Sequence, residues 1–297
     1  MKAVCYGVCC ADQILEMSRF PEPDGTSTIL DEQLRVGGEA TATGVALARW
    51  GLETLVVGNE LADDYYGSYI REYLAGVPNL RLSAGNSRTV TPHAVILSTP
   101  PGHRTILGWF HELEIPTLQA EEIEGARVVV VDCYFKQKSQ QALQLAKDSG
   151  ALVITADWRP GSPELKWADG VVNSANYLGG EAEQGGEAAR DECLALNRAG
   201  VKWAVVTSGV KGCWACGPEG KAFQQPAFPV EVRDSTGAGD LFRAGFTYGL
   251  AQEWPFERVI EFASLAAAHI CGVLGGTPST ISLPEAEARL GPLQGCQ

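Results

Sequence analysis

Positive charge is scarce in this chain. Its 297 residues carry 23 Lys and Arg against 36 Asp and Glu, a net charge of −13. Whole-molecule attraction to a polyanion is therefore excluded. One bound nucleotide is not, because backbone N–H groups build a phosphate site locally. Apolar runs long enough to span a membrane are also missing. The opening MKAVCYGVCC lacks a signal peptide's layout, so the chain reads as cytoplasmic. Linkers, repeats, low-complexity tracts and charge blocks are absent too, and the economical expectation is one domain over residues 1–297.

Paired cysteine motifs are nearly absent. Of nine cysteines, only Cys213 and Cys216 form a CxxC, in GCWACG, with no second CxxC and no His pair nearby. Zinc is poorly supported by that pattern. The expectation is a strand, with Cys213 and Ala215 facing one side and Trp214 and Cys216 the other. The remaining thiols read as reduced and mostly buried.

What is present is an alternation of strand-like and helix-like runs, in a chain 45% hydrophobic and long enough to bury a core. ARVVVVDC has the β-branched character of a doubly covered parallel strand. SQQALQLAKDSG follows as a helix, with Ser139 as N-cap and Gly150 past its end. ALVITADW, DGVVNS, a polar helical stretch from Glu181 to Ala199, and KWAVVTSG continue the rhythm. This order predicts βαβ units and a mostly parallel sheet. A helix from Ala238 and a second, PFERVIEFASLAAAHIC, close the domain, with Pro255 in the second one's first turn. The first half adds a helix ending at Gly51, and a hairpin of TVTPHAVILST and GHRTILGWF around the turn PPG. Strands within about 13–36 and 88–112 would form a small sheet attached to the main one.

The stretch DSTGAGDLFRAGF, Asp234 to Phe246, carries the most chemistry. Gly237, Ala238 and Gly239 bear nothing larger than a methyl at a helix start, where N–H groups lack partners and the dipole is positive. A phosphoryl group can therefore reach those N–H groups. Asp240 beside an anion site is repulsive unless it accepts a proton from the attacking hydroxyl, and phosphoryl transfer needs that combination. The plainer reading is an ordinary Gly-rich helix start with Asp in its favoured first turn.

DSTGAGDLFRAGFTYGL resembles the C-terminal signature of the ribokinase (PfkB) family of carbohydrate kinases, with Ser235 where Thr is usual. The resemblance runs along nearly the whole chain. GVCCAD resembles the strand and loop ending in a sugar-binding aspartate, here Asp12. GGEATATGVALARWG resembles the N-terminal signature, with Gly37 and Gly38 against the sugar. VVGNELADDYYG resembles the segment after it, and VVTSGVKG resembles the nucleotide-phosphate turn, with Thr207, Gly209 and Gly212. The resemblance implies an α/β fold, a mostly parallel central sheet between helices with a β-sheet lid. It also implies a Mg²⁺- and ATP-dependent kinase acting on a sugar hydroxymethyl group. Asp240 would be the base and Gly237 to Gly239 the anion hole. The stretch from Ala267 to Gly275 would border the adenine, and a homodimer through the lid fits the family. Dependence on a monovalent cation stays open.

Other polar residues carry two readings each. Asp12 follows an apolar stretch, where a strand should end, and either binds sugar hydroxyls or is a solvated loop residue. Arg104 in the hairpin reaches substrate hydroxyls or a carboxylate, or is an exposed edge charge. Asp157 and Arg159 approach the substrate or form a structural ion pair. Arg243, one turn after Asp240, touches a phosphate or pairs with a local carboxylate. Arg104 and Arg159 together hint at an acidic sugar. His269 reads as a core or helix-surface residue.

Two departures from the family pattern stand out. The family's sugar-binding Asn is Ala42 here, flanked by Thr41 and Thr43, whose hydroxyls compensate in part. The magnesium-linked NxxE appears as NSAN, so Asn173 remains but Asn176 replaces the Glu; Glu181 and Glu183 follow downstream. These breaks keep open a weakened relative that senses a sugar or nucleotide, and a nucleoside kinase of the same fold. The principal expectation is a sugar or sugar-acid kinase.

Overall fold

The computed structural model describes residues 1–99, 102–111, 113–175, 186–275 and 279–293. Strand β1 (Lys2–Gly7) lies inside the large sheet, hydrogen-bonded to β4 (Glu53–Gly58) and β8 (Ala126–Val131). In β8 the apolar run is buried on both faces. Val128 and Val130 join one core, and Val129 and Val131 the other, as the period of two requires. From β8 the sheet continues through β9 (Leu152–Ala156), β10 (Gly170–Ser174) and β11 (Trp203–Thr207), all parallel. Strands β12 (Cys213–Cys216) and β13 (Ala222–Gln225) finish that edge antiparallel, and β5 (Leu80–Ser83) finishes the other in parallel.

Helices cover both faces. On one side α1 (Glu39–Arg49), α6 (Ala238–Ala251) and α7 (Phe256–Cys271) pack on the sheet. There Trp50 lies with its ring centroid 4.9 Å from Phe262 and 5.4 Å from Tyr248, while its Nε1 donates to Ile281 O. Such ring pairs add about 1 kcal/mol each beyond the area they bury. On the other side α4 (Gln137–Asp148) and α5 (Glu187–Arg198) bury Leu143 and Leu196.

A second sheet, ordered β3-β2-β6-β7, is built from β2 (Cys10–Met17), β3 (Ile29–Gly37), β6 (His93–Thr99) and β7 (His103–Trp109). Only Val8 and Cys9 separate β1 from β2, so the chain steps directly from one sheet to the other. Ile14, Ala94 and Ile96 pack against Leu274, tying the small sheet to the segment after α7.

The CxxC forms strand β12. Cys213 and Ala215 enter one core, and Trp214 and Cys216 contact the other. Among the described residues no group of three or more His, Cys, Asp or Glu side chains is placed to hold a metal.

Some boundaries differ from expectation. Ser139 is not an N-cap: the helix begins at Gln137 after Lys136, whose φ of 50° turns the chain, and Ser139 is buried inside the helix. Pro255 sits at the N-cap of α7, just before its first turn. Asp12 does not end a strand; it is the third residue of β2, because the strand before it stops at Gly7. The small sheet accordingly starts at Cys10, and no strand covers 88–92. Helix α5 begins at Glu187, while 181–185, like Pro100 and Pro101 of the hairpin turn, lie outside the described residues.

Candidate active site

The two acids of DSTGAGD have different surroundings. Asp234 Oδ1 accepts from Thr236 N at 3.0 Å and Thr236 Oγ1 at 2.8 Å, and its Oδ2 accepts from Gly275 N at 3.2 Å. It is fully buried and holds the turn in shape. Gly237 then takes the left-handed conformation, φ 78°, as N-cap of α6, which favours glycine at that position. A Cβ added at Gly239 would meet nothing within 4 Å. The N–H groups of Gly237 and Gly239 donate to no described residue, and the Ala238 N–H makes only a long contact, 3.3 Å, to Ser235 O. Beside Gly239 the head of α6 is therefore open, and these N–H groups are without a strong partner among the described residues.

Asp240 stands in the first turn of α6. Its Oδ1 accepts from Arg243 Nη2 at 2.8 Å. Burial raises its pKa, and Arg243 and then Arg104 pull it back down. Arg243 Nη1 also donates to Glu39 Oε2 at 3.2 Å. The guanidinium therefore pairs with local carboxylates, one from each of two helices. Burial works against its charged form, and Glu39, Asp240, Asp132 and Asp157 outweigh that effect.

Glycines make room for two further carboxylates. A Cβ on Gly37 would lie 1.9 Å from Asp12 Oδ2, and one on Gly7 would lie 1.8 Å from Asp132 Oδ2. Asp132 follows β8 and accepts from Val8 N at 2.6 Å and Tyr134 N at 3.1 Å. Among the described residues Asp12 receives only the Cys10 thiol, at 3.3 Å, and burial lifts its pKa to about 6. Asp157 follows β9 in the left-handed region, φ 62°, and burial lifts it to about 6 as well, against the pull of Arg243. Gly38, φ 91°, caps α1 where an added Cβ would lie 2.3 Å from Val8 O.

Ala42 is buried in α1, and both flanking hydroxyls are engaged within the protein. Thr41 Oγ1 donates to Cys9 Sγ, and Thr43 Oγ1 accepts a long 3.4 Å contact from Arg243 Nε. Arg104, on β7, donates through Nη1 to Ser235 O at 2.7 Å and Ser235 Oγ at 2.6 Å, joining the small sheet to the turn before α6. Arg159 is exposed and acts electrostatically on Glu192.

The other expected residues lie at the ends of β10 and β11. Thr207 Oγ1 donates to Asn173 O at 3.2 Å. Gly209 opens a 3-10 turn, and Gly212, φ 84°, closes it where an added Cβ would lie 2.0 Å from Gln225 O. Asn173 Nδ2 donates to Trp158 O and to Glu192 Oε1, both at 2.8 Å, while its buried Oδ1 has no partner among the described residues. Gly275 joins Asp234 as described, and Ala267 is half-buried on α7. Asn176, Glu181 and Glu183 lie outside the described residues.

Sequence reasoning missed Glu39, Asp132 and Glu192. For Asp132 a signal existed: it closes VVVVD, an acid directly after an apolar strand, the pattern that singled out Asp12. Nothing local marks Glu39 or Glu192, since each gains its neighbour across the fold.

Comparison with known proteins adds to this geometry. The description "pfkB family carbohydrate kinase" belongs to a family model that matches residues 1–282. A ribokinase of Bacillus subtilis is 27% identical over 299 residues, covering 96% of this chain and 99% of its own. A 5-dehydro-2-deoxygluconokinase of Geobacillus kaustophilus is 26% identical over 261 residues, 78% of each chain. An Arabidopsis thaliana ribokinase complexed with ribose and ATP shares the fold with a TM-score of 0.77 at 24% identity, over 97% of both chains. A Burkholderia thailandensis nucleoside kinase in complex with inosine does so at 18% identity with the same TM-score, over 97% of this chain and 96% of its own. With the match extending from the first strand past α7, the chain belongs to the pfkB family of carbohydrate kinases.

Proposed function

We propose that this carbohydrate kinase transfers the γ-phosphoryl group of ATP to a primary hydroxyl of a sugar or sugar acid, with Asp240 as the base. The observation that carries the assignment is the head of α6. There an acid with one oxygen held by Arg243 stands beside N–H groups that have no strong partner among the described residues, with open space at Gly239. Asp240 takes the proton of the acceptor hydroxyl as the O–P bond forms. The N–H groups of Gly237 to Gly239 hold the transferring phosphoryl, and the bond to the β-phosphate oxygen breaks toward ADP. Asp12 and Asp157, poor in hydrogen-bond donors, are suited to accept from acceptor hydroxyls, with Gly37 and Gly38 closing the floor beneath them. Relatives named for ribose and for a sugar acid support this acceptor class.

On the nucleotide side, Thr207, Gly209 and Gly212 would cradle phosphates, with Ala267 and Gly275 toward the adenine. The residues present fit a hydrated cation better than a direct ligand set: Asn173 Oδ1 is buried, without a partner among the described residues, beside the Glu192 carboxylate. Mg²⁺ held there through water would neutralise charge on the ATP phosphates. The small sheet acts as a lid over the acceptor and excludes water, a competing nucleophile. Its exposed Leu30, Ile106, Leu107 and Trp109 suit a second copy of this chain, which light scattering would reveal as a homodimer. No helix among the described residues is long and apolar enough to cross a membrane. The free thiols and the need for ATP support activity in the cytoplasm.

The test is coupled ADP release with Mg²⁺ and ATP over a panel of pentoses, hexoses, ketoses, sugar acids and nucleosides. Turnover with a sugar or sugar acid supports the reading; turnover with nucleosides alone replaces it. Asp240→Asn should lower kcat on the order of 10³-fold with acceptor affinity nearly intact. Near wild-type turnover in that variant would remove Asp240 as the base.

A further inference from the structure

Arg243 is an unusual group to find at the centre of this fold. Its side chain is 5% exposed and lies between α1 and α6. Burying a guanidinium is expensive, and a well-packed apolar residue often serves stability as well or better. A stability role alone therefore does not explain it. Its donors have a specific distribution: Nη2 to Asp240 Oδ1 at 2.8 Å, Nη1 to Glu39 Oε2 at 3.2 Å, and Nε toward Thr43 Oγ1 at 3.4 Å. Asp240 Oδ2 makes no hydrogen bond to a described residue. One carboxylate oxygen is thus clamped and the other is left for a substrate.

We propose that Arg243 is a positioning residue for the transfer. Its guanidinium, anchored on α1 by Glu39, fixes Asp240 Oδ1 so that Oδ2 meets the acceptor hydroxyl. A planar fork suits this task, because it bridges two carboxylates at fixed angles where an ammonium group would act as a point charge. The clamp also joins the helix that begins at the sugar-side glycines to the helix that begins at the phosphoryl turn. The proposal rests on Asp240 being the base.

Charge is the second half of the argument. The groups around Asp240 and Arg243 are the acids Glu39, Asp12, Asp132 and Asp157, the thiols of Cys5, Cys10 and Cys133, all raised by burial, and, from β7, Arg104. Burial already pushes Asp240 toward its neutral form, and Arg243 is the larger of two positive charges opposing it. A protonated Asp240 cannot accept the hydroxyl proton. Removing Arg243 raises the Asp240 pKa further, so activity should be lost first at low pH and recovered as pH rises.

The experiment is a pH profile of kcat and kcat/KM for Arg243→Gln and Arg243→Lys with the acceptor found in the panel, beside Asp240→Asn and the double variant. Arg243→Gln is expected to lower kcat about 10²-fold near neutral pH with acceptor KM within about threefold, and to move the acidic limb upward by a unit or more. Arg243→Lys should keep the limb near its wild-type position and lose about tenfold in kcat, because charge survives without the fork. In the Asp240→Asn background, Arg243→Gln should cost almost nothing more, since its effect runs through that carboxylate. An unchanged acidic limb in Arg243→Gln, or a full additive loss in the double variant, would overturn the proposal. Should Arg243→Gln fail to fold, a wild-type kcat in Arg243→Lys would overturn it equally. If Asp240→Asn itself retains turnover, the base assignment has failed instead.

Discussion

Arg104 and Ser235 lie 131 residues apart in sequence and meet through two short hydrogen bonds. Nη1 of Arg104, on the small sheet's edge strand, donates to both the main-chain oxygen and the hydroxyl of Ser235. Ser235 Oγ in turn donates to Gly102 O at 3.1 Å, at the tip of the same hairpin. The family-typical Thr is Ser here, so the hydroxyl that receives the hairpin sits inside the signature itself.

If the small sheet is a lid, this contact latches it to the phosphoryl turn. Arg104→Ala should reduce acceptor kcat/KM about tenfold, a charged hydrogen bond discounted for exposure, while Tm hardly moves. ATP hydrolysis without acceptor should rise relative to transfer, because the latch also excludes water. Coupled assays with and without acceptor would show both; an unchanged ratio would argue against a latch.

Gly37→Ala should damage the acceptor side alone. The added methyl would overlap Asp12 Oδ2, and the carboxylate must rotate away. Acceptor kcat/KM is expected to fall at least about 10²-fold, the scale of a 1 Å misplacement. ATP affinity, measured by calorimetry, should stay near wild type. Equal losses of both ligands would point to a folding defect.

Gly212→Ala is the counterpart on the nucleotide side. The residue has φ 84° and an added Cβ would meet main-chain oxygen of Gln225, which cannot rotate away as a side chain can. Strain of this kind should lower Tm by about 5 °C and weaken ATP about tenfold. Acceptor binding, followed by thermal shift, should change little.

The acid-rich centre predicts an inverted pH dependence of stability. Asp12 and Asp157 have folded pKa values near 6 against an ordinary 3.8. Through the intervening pH range the native state holds protons that the unfolded chain has released. Stability from these groups is therefore greatest below that window and falls as pH rises through it. Tm of the ligand-free protein should rise as pH drops from 7.5 to 5. Asp157→Asn, which tolerates the left-handed conformation, should raise Tm at pH 7.5 by about 3 °C and flatten this dependence, while weakening the acceptor. A Tm that falls steadily toward pH 5 in both proteins would contradict it.

Local pattern decided a large part of this molecule. The valine run of β8, the helix signals around Gly51 and Gly150, and the alternation in CWAC each fix an element through near neighbours. The turn DSTGAGD is legible for the same reason: a helix start with small residues exposes its donors whatever surrounds it. Tertiary structure decided the rest. Asp12 was expected at a strand end and lies inside β2, because the chain crosses between sheets after two residues. Arg243 could meet a phosphate or a carboxylate by sequence; only the approach of α1 brings Glu39 to it. Asn173 acquires Glu192 from a helix nineteen positions on, which no spacing rule announces. Backbone donors and periodic faces are written into short segments, so the sequence alone determined them. Which charges neutralise one another depends on how distant helices pack, and that was settled only when the core closed around Arg243.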